Sequence, residues 1–254
     1  MNRTLDPQRQ SWVDTAGTDF PVQNLPYGIF VPFAHGDDPK AARVGVAIGN
    51  QILDLAACHR AGLLNLPGLV PEALCSSSLN AFIALGDSVH SLVRHRVFDL
   101  LVEGGADDLR KICKDVPEVL IPASSAKMLL PTAVGDFVDF YSSLEHASNV
   151  GSMFRDPDNP LLPNWKHIPI GYHGRSSSLF VSGTPVFRPA GQLKNDDGPP
   201  VFAPSRQLDF ELEMGFIVGV NTKPGERIAA PHAFSAMFGM VIVNDWSARD
   251  IQKW

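Results

Sequence analysis

The chain has 254 residues, of which 44% are apolar and 19% charged, and its formal net charge is -6. A chain of this length and composition builds a core of its own and is not a disordered segment. Its negative balance offers no long-range attraction to nucleic acid or to an anionic membrane, so neither is expected as a partner.

Three cysteines, Cys58, Cys75 and Cys113, have no paired spacing. An odd, scattered set fits a reducing compartment and argues against a disulfide framework or a cysteine zinc site. The opening MNRTLDPQRQSWVD has no apolar signal core, and no later stretch reaches about 18 uninterrupted apolar residues, so a soluble, cytoplasmic protein is expected.

The first thirty residues read as polar turns around Trp12, Phe20 and Tyr27. Next, ARVGVAIGNQILDL predicts a hairpin, with Val44, Val46 and Ile48 leading to a Gly49-Asn50 turn and Ile52 to Leu55 returning. From Asn80 to Glu103 the spacing of Phe82, Leu85, Val89, Leu92, Val93 and Val97 predicts helix, divided at Gly86-Asp87 and ended by Gly104-Gly105. A polar, proline-punctuated stretch follows, and the domain boundary is expected within residues 117 to 130, giving domains 1–122 and 123–254.

Beyond that boundary the pattern is mostly strand and turn. SSSLFVSGTPVF predicts a strand with a bend, AGQLKNDDGPPVFAPSRQ a turn-rich stretch, and LDFELEMGFIVGVN one long strand. AAPHAFSAMFGM reads as helical and VIVNDW as a buried run. Ser247 with Asp250 three positions on predicts a capping box that opens a last helix. That helix has no room to finish before Trp254, so the chain is expected to be a segment of a longer protein.

Along the predicted strand Leu208 to Phe216, residues two apart share a face, which stacks Asp209, Glu211 and Glu213 opposite Phe210, Leu212 and Met214. Such acids equally fit the wet face of an edge strand. With burial expected to deepen through GFIVGV, however, their mutual repulsion points to a divalent cation, and oxygen-only ligation points to calcium or magnesium. Asp245, at the end of MVIVND, and Asp139, in GDFVDFYSS, are further candidate ligands, though each fits a turn or cap as well. His146, among small and polar residues in YSSLEHASNVGSMFR, could take a proton from water or serve as a structural histidine. Arg249 and Gln252, three apart on the last helix, could face one polar cavity or solvent. GYHGR fits a ligand-facing loop or an ordinary turn. No dinucleotide, Walker or G-x-S-x-G motif is present, which leaves nucleotide cofactors and a serine nucleophile without support.

Four ordered stretches, DFVDFYSSLEHASNVGSMFR, NWKHIPIGYHGRSSSLFVSGTPVFRPAGQ, LDFELEMGFIVG and VIVNDWSARDIQKW, closely resemble the fumarylacetoacetate hydrolase family from about residue 120 onward. The resemblance implies a fold that is mainly β with α elements: a small SH3-like β-barrel domain, then a mixed β-roll domain, here truncated, assembled as a homodimer. It implies Asp139, Glu211, Glu213 and Asp245 as ligands to Ca2+ or Mg2+. It assigns His146 as the water-activating base, with Arg249 and Gln252 around the reacting carbonyl and Tyr141, Arg155 and Tyr172 holding substrate. The implied reaction hydrolyses a carbon-carbon bond of 4-fumarylacetoacetate, a small diketo acid, to fumarate and acetoacetate, the last step of phenylalanine and tyrosine degradation. Hydrolysis of a related diketone or acylpyruvate, or an inactive binding fragment, are the alternatives. The family's further carboxyl-terminal stretch supplies another lysine and a glutamate that orients the base. Neither can be assigned here, and Lys253 is no substitute for that lysine.

Overall fold

A computed structural model describes residues 2–36, 38–113, 118–195 and 197–252. Lys253 and Trp254, where the last helix was expected to be cut short, lie outside the described residues. Two units are distinguished, one made of residues 1–131 with 182–254, the other of residues 132–181.

The larger unit begins with five strands, β1 (Tyr27–Pro32), β2 (Arg43–Ile48), β3 (Gln51–Asp54), β4 (Leu120–Pro122) and β5 (Ala126–Leu129). They form one sheet in the order β4-β3-β2-β1-β5, antiparallel throughout. The predicted hairpin is β2-β3, closed at Ile48↔Gln51. Gly49 turns it with φ 55°, and a side chain there would bring a Cβ to 2.1 Å from the Asp14 carbonyl oxygen. Only glycine meets both demands.

Strands β4 and β5 lie at opposite edges of this sheet yet are joined by the single turn Ala123–Ser125. Four residue steps span at most ~14 Å, whereas the edges of a flat five-stranded sheet stand ~19 Å apart. The sheet is therefore strongly curled. Among the described residues no ladder joins its two edges, so it is not a closed barrel.

Helices α1 (Leu55–Arg60), α2 (Asn80–Ile83), α3 (Asp87–Leu101) and α4 (Leu109–Ile112) cover one face of the curl. The expected division at Gly86-Asp87 is present, with Gly86 at φ 81°. The buried stripe of α3 is Val89, Val93, Val97 and Leu100-Leu101. Leu92, counted in the predicted stripe, is instead 42% exposed, because it lies on the rim three positions from Val89 while Val93 and Val97 take the centre. Cys58 of α1 is fully buried, and that burial pushes its thiol up to about 12, so it is inert.

Asp54 ties sheet to helix. One carboxylate oxygen accepts from the Ala57 backbone N–H and caps α1 at 2.9 Å. The other stands 2.6 Å from Arg43 Nε as an ion pair without aligned hydrogen-bond geometry, and the carboxylate is 1% exposed. Removing one partner of a buried pair strands the other charge, so Asp54→Ala is expected to cost about 3 kcal/mol in a chemical denaturation experiment. Asp54→Asn, which keeps the cap, should cost less.

Asp108 gives this unit an acid-sensitive joint. Its carboxylate accepts from Arg110 Nε and Nη2 and from the Arg110 and Gly104 backbone N–H groups. The Arg110 guanidinium, first among these, holds the carboxyl below its usual range. A depressed folded-state pKa adds stability that is present above the unfolded value of about 3.9 and is lost as pH falls through the folded one. The melting temperatures of wild type and Asp108→Asn should therefore differ at pH 7 and converge in acid.

In the smaller unit, β6 (Val138–Phe140) pairs with β7 (Gly171–His173), and α5 (Leu144–Phe154) lies between them in sequence. The strand predicted in SSSLFVSGTPVF is absent. That stretch has one 3-10 turn at Ser176–Ser178, then Gly183 at φ 87°, and no partner strand.

The larger unit resumes with β8 (Ala190–Asn195) and β9 (Gly198–Pro204), a hairpin where a turn-rich stretch was expected. β10 (Leu208–Val218) and β11 (Met237–Ala248) then pair along almost their whole length, and α6 (Arg249–Gln252) follows directly. Of AAPHAFSAMFGM, read as helical, residues Ala230–Ala236 form a 3-10 helix, while the stretch from Met237 on belongs to β11. The burial expected through GFIVGV and VIVNDW is met on one face only: Ile217 is half-buried against the main core, whereas Phe216 is 51% exposed, Val218 66% and Ile242 75%. Among the described residues β10 and β11 pair only with each other, which leaves one apolar face of the ribbon open.

The described residues thus mix α-helices with strands in four separate sheets. No helix among the described residues is long and apolar enough to cross a membrane.

Candidate functional site

The acidic face of the β10-β11 ribbon is laid out by strand alternation. Glu211 stands opposite Asp245 and Glu213 opposite Val243, so Asp209, Glu211, Glu213 and Asp245 project to one side. On the other side stand Phe210, Leu212, Met214, Ile242 and Trp246. The predicted stacking of three acids is therefore present, and β11 adds a fourth. Glu213 and Asp245, diagonal neighbours across the ladder, each bring a carboxylate oxygen within 4.8 Å of the other.

Arg249 closes one end of this face. Its Nη1 pairs with Glu211 Oε1 at 2.5 Å, while Nη2 and Nε reach Asp209 Oδ2 at 3.0 and 3.1 Å. Burial works to lower its pKa, but the hydrogen bonds and charges of Asp209 and Glu211 outweigh this and leave it raised. Arg249 Nη1 also donates to Gln252 Oε1 at 3.1 Å, so the predicted i,i+3 pair does share a face. Ser247, expected to cap the last helix, is the penultimate residue of β11, and its hydroxyl donates to Glu211 Oε1 at 3.2 Å. The strand runs past Ser247 because its ladder with β10 continues to Leu208↔Ala248.

The smaller unit holds the other predicted residues. Asp139 lies opposite Tyr172 across β6-β7, and the tyrosine hydroxyl donates to Asp139 Oδ2 at 2.6 Å. His146 occupies the first turn of α5, where the Ser143 hydroxyl accepts from its backbone N–H at 3.2 Å. Its ring meets that of Tyr141 edge-on, 5.9 Å between centroids. Tyr141 is itself fixed: its hydroxyl donates to the Ala147 carbonyl at 2.9 Å and its carbonyl accepts from Trp165 Nε1 at 2.8 Å. Asp139-Tyr172 and Tyr141-His146 are thus contacting pairs. Arg155 stands at the far end of α5, nine residues or ~14 Å along the axis from His146, and donates to the Pro160 carbonyl at 2.9 Å.

The glycines around Tyr172-His173 have a packing reason. A Cβ on Gly174 would lie 2.1 Å from the Phe137 ring, and one on Gly171 would lie 2.8 Å from the Asp139 carbonyl oxygen. His173 Nε2 pairs with Asp136 at 2.5 Å, and this contact, foremost, holds the Asp136 carboxyl below its usual range. Asp209, Ser247 and Asp136 were not among the predicted site residues. Strand alternation placed Asp209 on the acidic face without assigning it a role, whereas the partners of Ser247 and Asp136 depend on ladder register.

The donors on the ribbon are all oxygen, which is the ligand chemistry of calcium and magnesium. Oxygens bound to one calcium ion at up to ~2.6 Å lie up to ~5.2 Å apart. The spacing of Glu213 and Asp245 is compatible with that limit, and the pair fits a hard divalent cation.

The fumarylacetoacetase N-terminal family model matches residues 23–131, and the fumarylacetoacetate (FAA) hydrolase C-terminal model matches residues 137–254. Among curated proteins, the fumarylacetoacetase of Homo sapiens is 47% identical over 243 residues, covering 93% of this chain and 56% of that protein. The fumarylacetoacetase of Dictyostelium discoideum is 47% identical, covering 92% of this chain and 55% of its own length. That of Arabidopsis thaliana is 40% identical, covering 96% and 58%. The chain thus spans a little over half the length of these relatives, and across that span it belongs to the fumarylacetoacetate hydrolase family.

Proposed function

We propose that this chain forms part of a metal-dependent hydrolase that cleaves a carbon-carbon bond of 4-fumarylacetoacetate, yielding fumarate and acetoacetate as the last step of phenylalanine and tyrosine degradation. The observation that carries the reading is 47% identity over 93% of the chain to proteins named fumarylacetoacetase. The relatives' shared name gives no support to the acylpyruvate alternative.

In this proposal Asp139, Glu211, Glu213 and Asp245 hold Ca2+ or Mg2+. When bound, the cation polarises the diketone oxygens of the substrate. Tyr141, Arg155 and Tyr172 hold the diketo acid. His146 removes a proton from water, and the hydroxide adds to one carbonyl carbon. Arg249 and Gln252 stabilise the oxyanion that forms. The carbon-carbon bond then breaks, its electron pair leaves as an enolate, and the proton held by His146 returns to the enolate carbon. Water is consumed and no covalent enzyme intermediate forms.

The same proposal includes an SH3-like amino-terminal module, a β-roll catalytic module, a homodimer and a cytoplasmic location. The curl of the first sheet supports the SH3-like reading. The modules divide near residues 122/123, although β5 extends the first sheet a few residues past that point.

The test is to supply 4-fumarylacetoacetate to the complete gene product and to the 254-residue chain, with and without chelator. Fumarate and acetoacetate should form, production should stop with chelator, and Ca2+ or Mg2+ should restore it. Absence of product from the complete protein, or product insensitive to chelator, would overturn the reading.

A further inference from the structure

Among the described residues helix α6 spans Arg249–Gln252. Bonds from outside the helix fix the direction of this turn. That direction matters because Arg249 and Gln252 are both on it.

Asp250 makes those outside bonds. Although it was expected to serve Ser247 in a capping box, its carboxylate reaches the link between β9 and β10. Oδ1 accepts from the Ser205 hydroxyl at 2.6 Å and Oδ2 from the Arg206 backbone N–H at 2.7 Å. Ser205 is a built anchor: it is 2% exposed, its N–H donates to the Pro189 carbonyl and its own carbonyl accepts from Arg188 Nη1, both at 2.9 Å. Its hydroxyl also accepts from the Gln207 N–H at 3.3 Å. From the same link the Gln207 carbonyl accepts the Arg249 N–H at 2.9 Å. On the opposite side Ile251 packs on β8 at Gly191, where a Cβ would come to 2.9 Å from Ile251 Cδ1.

We infer that Asp250, anchored by Ser205, is a positioning residue: it sets the direction of α6 and thereby aims Arg249 and Gln252 along the acidic face of β10-β11. Asp250 touches neither substrate nor cation in this scheme. The inference rests on the proposed roles of Arg249 and Gln252, and it deepens them by naming the group that holds both. The Ser205 hydroxyl, foremost, keeps the Asp250 carboxyl below its usual range, so the anchor stays ionised. Losing such an outer partner typically reduces activity by about 10- to 100-fold.

The experiment uses the complete gene product and the variants Asp250→Asn and Ser205→Ala, each alone and in an Arg249→Gln/Gln252→Ala background. In the wild-type background Asp250→Asn should lower kcat for 4-fumarylacetoacetate about 10- to 100-fold, with KM changed less than about threefold. In the Arg249→Gln/Gln252→Ala background the same change should cost less than about threefold more, because groups that act through one another are not additive. Equal losses in both backgrounds would overturn the inference.

Amide hydrogen exchange gives an answer independent of turnover. Both single variants should speed exchange at Arg249 to Gln252 at least ~10-fold while leaving the β10-β11 ladder protected. Unchanged exchange in α6, or an equal rise throughout the ladder, would sink it. If wild type fails to hydrolyse 4-fumarylacetoacetate but α6 exchange responds as expected, the functional reading fails and the positioning role of Asp250 stands.

Discussion

Replacing His146 with glutamine is expected to lower hydrolysis of 4-fumarylacetoacetate by about 10²- to 10⁴-fold, the range a positioned general base contributes. In energy this is about 3 to 5 kcal/mol of the barrier. Glutamine keeps a polar side chain of similar reach but cannot take up a proton. The helix should survive the change, because the Ser143 cap bonds the backbone N–H of residue 146 and not its ring. The edge-on contact with Tyr141 is lost, which is worth about 0.5 to 1.5 kcal/mol. Steady-state kinetics should therefore show the loss in kcat, while the melting temperature and the affinity for Ca2+ stay close to wild type. A variant within about threefold of wild type would remove His146 from the base role.

The second large effect concerns the acidic face. Glu213→Gln combined with Asp245→Asn should abolish measurable Ca2+ and Mg2+ binding by calorimetric titration, with each single change weakening it by at least ~100-fold. Each substitution removes a charged oxygen donor and leaves a neutral one, and hard cations bind by charge count. Stability should move the other way. The two carboxylates lie within 4.8 Å of each other, and their repulsion destabilises the ribbon when no cation answers it. In chelator the double variant should melt at or above wild type, whereas added Ca2+ should raise the melting temperature of wild type alone. Lower stability in chelator with cation binding intact would assign these acids a structural role.

Several elements were legible in the sequence because their signals are local. The Gly49-Asn50 hairpin, the Gly86 break and the long β10 strand each depend on residues within one turn or one period of alternation. The shared face of Asp209, Glu211 and Glu213 followed from the same alternation. Other features depend on pairing that no window contains. Ser247 and Asp250 have the spacing of a capping box, but the β10-β11 ladder claims Ser247 for the strand, and Asp250 bonds to Ser205, 45 residues away. SSSLFVSGTPVF has strand-forming residues but finds no partner. The turn-rich reading of AGQLKNDDGPPVFAPSRQ missed a hairpin because prolines and glycines concealed the register of Leu193↔Val201.

Burial was the least legible property. GFIVGV reads as interior by composition, yet Phe216 and Val218 stand open, since a two-stranded ribbon can shelter only what a neighbouring layer covers. The site residues divide along the same line. The Arg249-Gln252 contact was readable from its i,i+3 spacing, whereas that between Tyr141 and His146 was not. The Arg249 ion pairs to Asp209 and Glu211, and the hydroxyl bond from Tyr172 to Asp139, required the ladder registers.

Crystals of the complete protein soaked in Mn2+, followed by anomalous diffraction, test the central claim most directly. The account predicts one strong anomalous peak on the acidic face of β10-β11, within about 2.0 to 2.6 Å of carboxylate oxygens from both Glu213 and Asp245. A fully soaked crystal with no peak there, or with its ordered cation bound elsewhere, would contradict it.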